Sequence, residues 1–384
     1  MPLVVYILGL AIFALTTSEF MVAGMMPSLS KAFGVTLAEV GNLISLYALG
    51  MVVGGPILTV GLLKFKVSNK KGFLGLLLIY VVSQLISAGA QDYGVMAVSR
   101  VVAGVAASAC FGIALAISAD IVNVQSRGRA ASIVISGLML ATVVGVPMAT
   151  LIDQHLGWRE SFWLVAVLAS LCVIMVGLMV PNQPKTATAS LGQELAEFKK
   201  GALWAAYATS GLVLGATFAA FSYFYPILTQ VSRFESATIP ILFAAYGVAS
   251  VVGNLIVGRW FADRHTISIV VAGLSLLAFS LLLFAWLAEY RSISVMALLL
   301  IGLAGLPMNP AMITRVMNVA HPGPLVNTVH TSVINIGLGM GSWLGGLGIA
   351  LGYGLRAPLW VGLVLAVFGL ISILPFLKKD RYPH

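Results

Sequence analysis

Apolar runs of about twenty residues recur along almost the whole chain, and few contain a charge. A bilayer core of roughly 30 Å takes about 20 helical residues to cross. We place spans at Val4–Met26, Val40–Leu63, Phe73–Ala90, Tyr93–Ala119, Ala130–Ile152, Ser161–Val180, Ala202–Thr229, Ile239–Phe261, Ile267–Leu287, Ile293–Ile313, Val326–Leu351 and Ala357–Leu377, twelve in all. The runs are too long for membrane strands and do not alternate, which excludes a barrel. The expected class is an all-α membrane protein with lipid as its principal solvent. Only 9% of the 384 residues are charged and 60% are hydrophobic, which excludes a water-soluble enzyme, a disordered chain and a nucleic-acid binder. The 40 glycines suit close helix packing.

The net charge of +9 is an orientation code, not a patch for nucleic acid. With the N-terminus inside, cytoplasmic segments hold Lys64, Lys66, Lys70, Lys71, Arg127, Arg129, Lys185, Lys199, Lys200, Arg259, Arg264, Arg315, Lys378, Lys379 and Arg381. The other side holds only Lys31, Arg159, Arg233, Arg291 and Arg356. This bias of fifteen to five places both termini in the cytoplasm. No cleaved leader is expected, because Met1–Val5 carries no basic residue. Cys110 and Cys172 fall within spans as small packing residues, and no His or Cys spacing suits a metal. No cofactor is expected.

A polar interruption at 181–200 divides residues 1–180 from 201–384 as a linker between two six-helix bundles. The halves echo each other. Gly157-Trp158-Arg159 precedes span 6 and Gly354-Leu355-Arg356 precedes span 12. Gly137 and Gly145 recur as Gly337 and Gly345, while Pro27 closes span 1 and Pro226 closes span 7. These offsets, all near two hundred residues, indicate a duplicated unit. Duplicated halves with a site between them suit alternating access by a secondary transporter. No G-x-x-x-x-G-K-[ST] is present for ATP.

Charges inside the bilayer are costly and mark function. Glu19 is the only acid deep in a span, and Arg100 lies at a similar depth in span 4. We expect the two to meet. Glu19 then acts as a protonation switch, against the alternative of a fixed structural pair. Gly104, Ala107 and Ser108 below Arg100 equally suit a packing organiser, so both readings of Arg100 stand. Phe218, Phe221 and Tyr225 form an aromatic stripe on span 7. Tyr246, Ser250 and Asn254 follow one face of span 8, with Asn309 in span 10 and Thr331 and Asn335 in span 11. With Tyr47, these residues describe an aromatic, uncharged substrate cavity. His330 is expected to be a satisfied structural histidine.

These residues resemble the major facilitator superfamily over essentially the whole chain. Arg100 with Gly104 looks like its helix-4 motif, whose arginine is associated with proton coupling. Gly61 and the following KFKVSNKK occupy its loop motif between spans 2 and 3, with Phe65 at the usual aspartate and Ser68 at a usual glycine. Gly145-Val146-Pro147 is similar to its helix-5 antiporter motif, with Ala149-Thr150 replacing the terminal glycine pair. The resemblance assigns gating to Lys70, Lys71, Gly145, Pro147, Asp263 and Arg264. TTSEFMVAG, TFAAFSYFYPIL and MITRVM…NIGLGMG resemble the twelve-helix drug:proton antiporters, especially bacterial chloramphenicol-resistance exporters, with sugar and purine-nucleoside exporters nearby. It implies a monomeric exporter in a bacterial inner membrane, whose partners are a small molecule, protons and lipid. A sugar or nucleoside exporter is the rival reading. A membrane enzyme lacks a nucleophile with a base, and a non-transporting sensor or scaffold is the alternative of another class.

Overall fold

The computed structural model describes residues 1–65, 67–181, 196–260, 266–320 and 324–376. Without water, every backbone N–H and C=O must be satisfied within its own segment, and helices do this. Twelve helices among the described residues are long and apolar enough to span: α1 Leu3–Gly24, α2 Leu37–Leu62, α3 Asn69–Gly89, α4 Tyr93–Asp120, α5 Arg127–His155, α6 Trp158–Met179, α7 Gly201–Phe221, α8 Ser236–Gly258, α9 Thr266–Leu287, α10 Arg291–Val319, α11 Val326–Tyr353 and α12 Ala357–Phe376. No strand occurs among the described residues. Large apolar side chains such as Ile57, Leu178 and Phe279 remain exposed on the flanks, where lipid tails replace solvent.

Local sequence sets the helix starts. Thr36 and Glu39 form a reciprocal capping box at α2: the Glu39 N–H donates to Thr36 Oγ1 (3.2 Å) and the Thr36 N–H to Glu39 Oε2 (2.8 Å). Asp92 caps α4 by accepting from the Val95 N–H at 3.0 Å. Two expected ends are corrected. Pro27 does not close α1; that helix ends at Gly24, and Pro27 sits in the first turn of a short helix, Met26–Phe33. There its missing N–H is harmless. Nor does Pro226 close α7, which ends at Phe221; Pro226 lies in the short helix Phe224–Pro226 and a π-helical turn, Ile227–Val231, follows.

The six helices of each half pack among themselves, and the duplication is visible in their contacts. A Cβ on Gly137 of α5 would strike the Gly9 carbonyl of α1, and one on Gly337 of α11 would strike the Gly211 carbonyl of α7. The same helix pair thus closes through the same glycine contact in both halves. Gly157 and Gly354, at the start of the repeated tripeptides, have φ of 112° and 77°, so both echoes mark turns that favour glycine. The α2–α4 pair is equally tight, since a Cβ on Gly104 would strike the Tyr47 carbonyl.

Between the halves, α2 meets α11 and α5 meets α8. Four hydrogen bonds join them toward the end of the bundle opposite the N-terminus, here the far end. The Ser45 hydroxyl donates to the Gly339 carbonyl (2.8 Å) and, reciprocally, the Ser342 hydroxyl to the Gly41 carbonyl (3.1 Å). Gln154 Nε2 donates to the Ser236 carbonyl (2.6 Å) and to the Tyr225 hydroxyl (3.5 Å). Inside α5, residues Ala141–Gly145 form a π-helical segment just before Pro147, whose ring cannot donate a helix bond. α8 crosses α5 at that segment, where a Cβ on Gly247 would meet the Thr142 carbonyl. Cys110 and Cys172 are buried and free, as packing residues.

Gly104→Val is expected to destabilise the protein by about 1–3 kcal/mol through overpacking. Gly112→Ala, on the same helix with nothing within 4 Å of its added carbon, should be neutral or stabilising by up to about 1 kcal/mol. Thermal unfolding of both variants in detergent checks the contrast.

Candidate functional site

The centre of the first half is a polar network built on Arg100, whose side chain is fully buried. Its Nη1 donates to the Ser18 hydroxyl (2.9 Å) and its Nη2 to the Glu19 backbone carbonyl (3.3 Å). Its guanidinium lies 4.3 Å from the centre of the Tyr47 ring, a cation–π contact in a dry interior. The glycine contact at Gly104, one turn along α4, brings the Tyr47 backbone close enough for this. Ser18 in turn donates to Gln84 Oε1 on α3 (3.1 Å). Hydroxyls of Tyr47 and Tyr80 reach the Leu15 carbonyl at 3.4 and 3.5 Å. A serine chain continues outward, with Ser87 and Ser99 hydroxyls 2.8 Å apart.

The expected contact between Glu19 and Arg100 is therefore half right. The residues meet at one depth, but Arg100 bonds the Glu19 main chain, and no ion pair joins their side chains among the described residues. The physical reason lies in α1: Ser18 and the Glu19 carbonyl face α4 and accept from the two terminal nitrogens of the guanidinium in place of the carboxylate. The half-buried Glu19 carboxyl has no hydrogen-bond partner among the described residues. In the same core, Thr17 Oγ1, Gln84 Nε2 and Arg100 Nε are buried without partners.

On the other side of α1 the chain crosses to the second half. The Phe20 ring lies 5.1 Å from Phe218 and 5.9 Å from Phe221, and Phe221 lies 5.2 Å from Tyr246. Three expected residues, Phe218, Phe221 and Tyr246, are thus brought together in one cluster with Phe20. Tyr225 is not part of this group. The helical break at Ser222–Tyr223 redirects it, and its hydroxyl meets Gln154 at the far end. The Tyr246 and Ser250 hydroxyls and Asn309 Oδ1 are buried without partners. Asn254 and Asn309 are half-buried. Asn335 is buried, and its Nδ2 donates back to the Thr331 carbonyl (2.9 Å).

Lys70 and Lys71 lie in the first turn of α3, where the Ser68 hydroxyl accepts from the Lys71 N–H (3.5 Å). The serine at the motif's glycine position is therefore a helix cap. A Cβ on Gly145 would strike the Thr17 hydroxyl, placing the π-helical segment against α1 two residues before Glu19; Pro147 follows on α5. Asp263 and Arg264 lie outside the described residues. His330 is buried, its Nε2 2.9 Å from the Ser210 hydroxyl, and stacks on Tyr207 at 5.4 Å, in keeping with the structural reading.

Sequence reasoning passed over three groups. Tyr80 and Gln84 were detectable as polar residues inside a span, one turn apart on α3. Arg315, counted with the orientation charges, is only 6% exposed, with its guanidinium 5.2 Å from the Phe376 ring. Asp153, taken to lie beyond span 5, is 7% exposed.

The family model described as Major Facilitator Superfamily matches residues 8–324. A chloramphenicol resistance protein of Streptomyces lividans is 31% identical over 382 residues, covering 98% of this chain and 96% of that protein. The inner membrane transport protein YdhP of Escherichia coli is 29% identical over 378 residues, covering 98% and 96%. Among solved structures, a bacterial homologue of the human lysosomal transporter Spinster, in an inward-facing and unoccupied conformation, superposes with a TM-score of 0.74 at 15% identity, covering 99% of this chain and 98% of that one. The nucleoside transporter NupG does so with a TM-score of 0.74 at 15% identity, covering 98% of each.

Arg100→Ala leaves the Ser18 hydroxyl and the Glu19 carbonyl without their buried partner and is expected to cost about 2–4 kcal/mol. Arg100→Lys keeps the charge but not the two-pronged reach, so its melting temperature should fall between those of Arg100→Ala and the parent.

Proposed function

The chain belongs to the Major Facilitator Superfamily, and we propose that it is a proton-coupled exporter of small neutral or amphipathic solutes resembling chloramphenicol. That it is a multi-pass membrane transporter, and not an enzyme, follows from family and fold. In the reading proposed here, residues 1–180 and 201–384 are the two rocking bodies, 181–200 connects them, and both termini face the cytoplasm of a bacterial cell. The far end is then the outside.

One observation carries the coupling: an acid without a hydrogen bond or ion pair among the described residues, on the α1 strip that touches both halves. Ser18 and the Glu19 carbonyl are held by Arg100, while Phe20 packs on Phe218 and Phe221 of α7. Rocking of α7 against α1 changes what surrounds the Glu19 carboxyl. When the site opens outward, Glu19 takes a proton as solute departs; when it opens inward, the carboxyl releases the proton and solute binds. Arg100, whose two terminal nitrogens bond neutral oxygens, holds a positive potential near the carboxyl in both states without neutralising it. The membrane potential adds about 2.3 kcal/mol per charge per 100 mV, enough to concentrate a neutral solute. Phe20, Phe218, Phe221 and Tyr246 offer ring faces to a flat apolar body. The unpartnered Tyr246, Ser250 and Asn309 atoms offer it hydrogen bonds. Such a lining favours an amphipathic solute over a sugar, and the likeness to a chloramphenicol resistance protein agrees with it. Lys70, Lys71, Gly145, Pro147, Asp263 and Arg264 are proposed as gating residues, and Tyr47, Tyr225, Asn254 and Asn335 as substrate contacts reached during the cycle.

Glu19→Gln is expected to abolish export driven by an imposed pH gradient in proteoliposomes while the melting temperature stays within a few degrees. Retained gradient-driven export defeats the coupling role. Competition by sugars or nucleosides, and not by chloramphenicol-like compounds, would move the substrate assignment to the rival class.

A further inference from the structure

A second acid sits at the far end, beside the seal between the halves. Asp153, near the end of α5, is 7% exposed. Its Oδ2 lies 2.8 Å from the Ser28 hydroxyl on the short helix Met26–Phe33, and its Oδ1 is buried with no partner. Neighbouring hydroxyls cannot serve that oxygen, because each is committed elsewhere: Thr150 to the Val146 carbonyl (2.9 Å), Ser161 to the Ala149 carbonyl (2.8 Å) and Ser30 to the Val35 carbonyl (2.5 Å).

No cation offsets a charge there. The ionisable groups on the surrounding elements are Glu19 on α1, Lys31 on the short helix, His155 on α5 itself, Arg159 and Glu160 on α6, Tyr225 beyond α7, and Arg233 and Glu235 ahead of α8. None is in ion-pair contact with Asp153 among the described residues. Arg159, the cation on the adjoining helix, instead covers the Trp158 ring at 4.2 Å and donates to the Ala90 carbonyl at 2.9 Å. A buried carboxylate with one oxygen bare and no counter-ion is costly. A carboxylic acid in the same place is not: Oδ2–H donates to Ser28 across the same 2.8 Å, and Oδ1 becomes a carbonyl oxygen, the kind of group that interiors tolerate under-satisfied.

The next residue, Gln154, supplies two of the four hydrogen bonds between the halves, to the Ser236 carbonyl and the Tyr225 hydroxyl. Parting of the far end breaks these bonds and admits water to position 153. We propose that Asp153 is a proton-binding site, occupied while the far end is closed and emptied into the adjoining aqueous phase when it opens. Closure therefore takes up one proton from that side, and acid there favours the closed state. The inference goes beyond the Glu19 mechanism and holds whatever solute is carried.

The test reads conformation at equilibrium, with no solute and no gradient, so failure of the export reading leaves it intact. Spin labels on Ala32→Cys and Ala237→Cys, both exposed at the far end, report the closed and open distances in lipid nanodiscs, with Cys110→Ala and Cys172→Ala removing the native thiols. One linked proton changes the closed-to-open ratio by up to about tenfold per pH unit within its titration window. The slope is read in Glu19→Gln, which removes any linkage through that acid, and it is expected there and to vanish in Glu19→Gln/Asp153→Asn, which stays closed at every pH. A slope absent in Glu19→Gln, or one that survives in Glu19→Gln/Asp153→Asn, overturns the proposal. Ser28→Ala keeps the carboxyl and removes its hydroxyl partner, so it should displace the curve along the pH axis. An unchanged curve also counts against the site, and this variant decides if Asp153→Asn fails to fold.

Discussion

A guanidinium cannot lose its charge in this interior, so the buried Arg100 needs acceptors close by. Its two terminal nitrogens find them on α1, while Nε has no partner among the described residues. The bonds to Ser18 and to the Glu19 carbonyl fix the azimuth of α1 about its own axis. With that rotation set, Phe20 points at α7. Tyr47 beneath the guanidinium depends on the same contact, since the cation holds the ring and Gly104 lets its backbone approach. These contacts are those of a packing organiser, and in the proposed mechanism the same contacts also present the acid.

The glycine contacts suit the proposed rocking of each half as a body. Where Gly9 meets Gly137 and Gly211 meets Gly337, main chain lies on main chain, leaving little side chain to repack if the helices shift. Deformation is directed instead to the α2–α11 and α5–α8 boundaries, and the π-helical turn of α5 lies on the second of these. A helix with a widened turn at its crossing point can change curvature there more easily than a regular one.

Much of this was legible in the chain because lipid makes sequence rules strict. The twelve spans follow from the cost of charge and bare backbone in hydrocarbon, the same cost that singles out Glu19 and Arg100 as candidates, and the duplication follows from residues that repeat at one offset. What escaped was set by rotation and by breaks. Periodicity placed Tyr225 on the face of Phe218, but the interruption at Ser222–Tyr223 moved it to the far end. Depth put Glu19 beside Arg100, whereas only the facing of α1 decides whether a carboxylate or a carbonyl is presented. Asp153 and Arg315 were read as helix-end charges because burial at a helix end depends on neighbours such as the short helix Met26–Phe33, which no local pattern around them encodes.

The reciprocal serine bonds of the seal have an energetic consequence. Ser45 and Ser342 each donate to a glycine carbonyl of the opposing helix. A serine in a helix can also bond a carbonyl in its own preceding turn, as Ser132 and Ser136 do here toward Gly128 and Ile133. When the helices separate, neither hydroxyl is stranded; each can rotate home and exchange one acceptor for another. The carbonyls they leave keep their own helix bonds. The halves are thus latched by bonds with a built-in alternative, and parting them at this point changes partners more than it reduces the number of bonds.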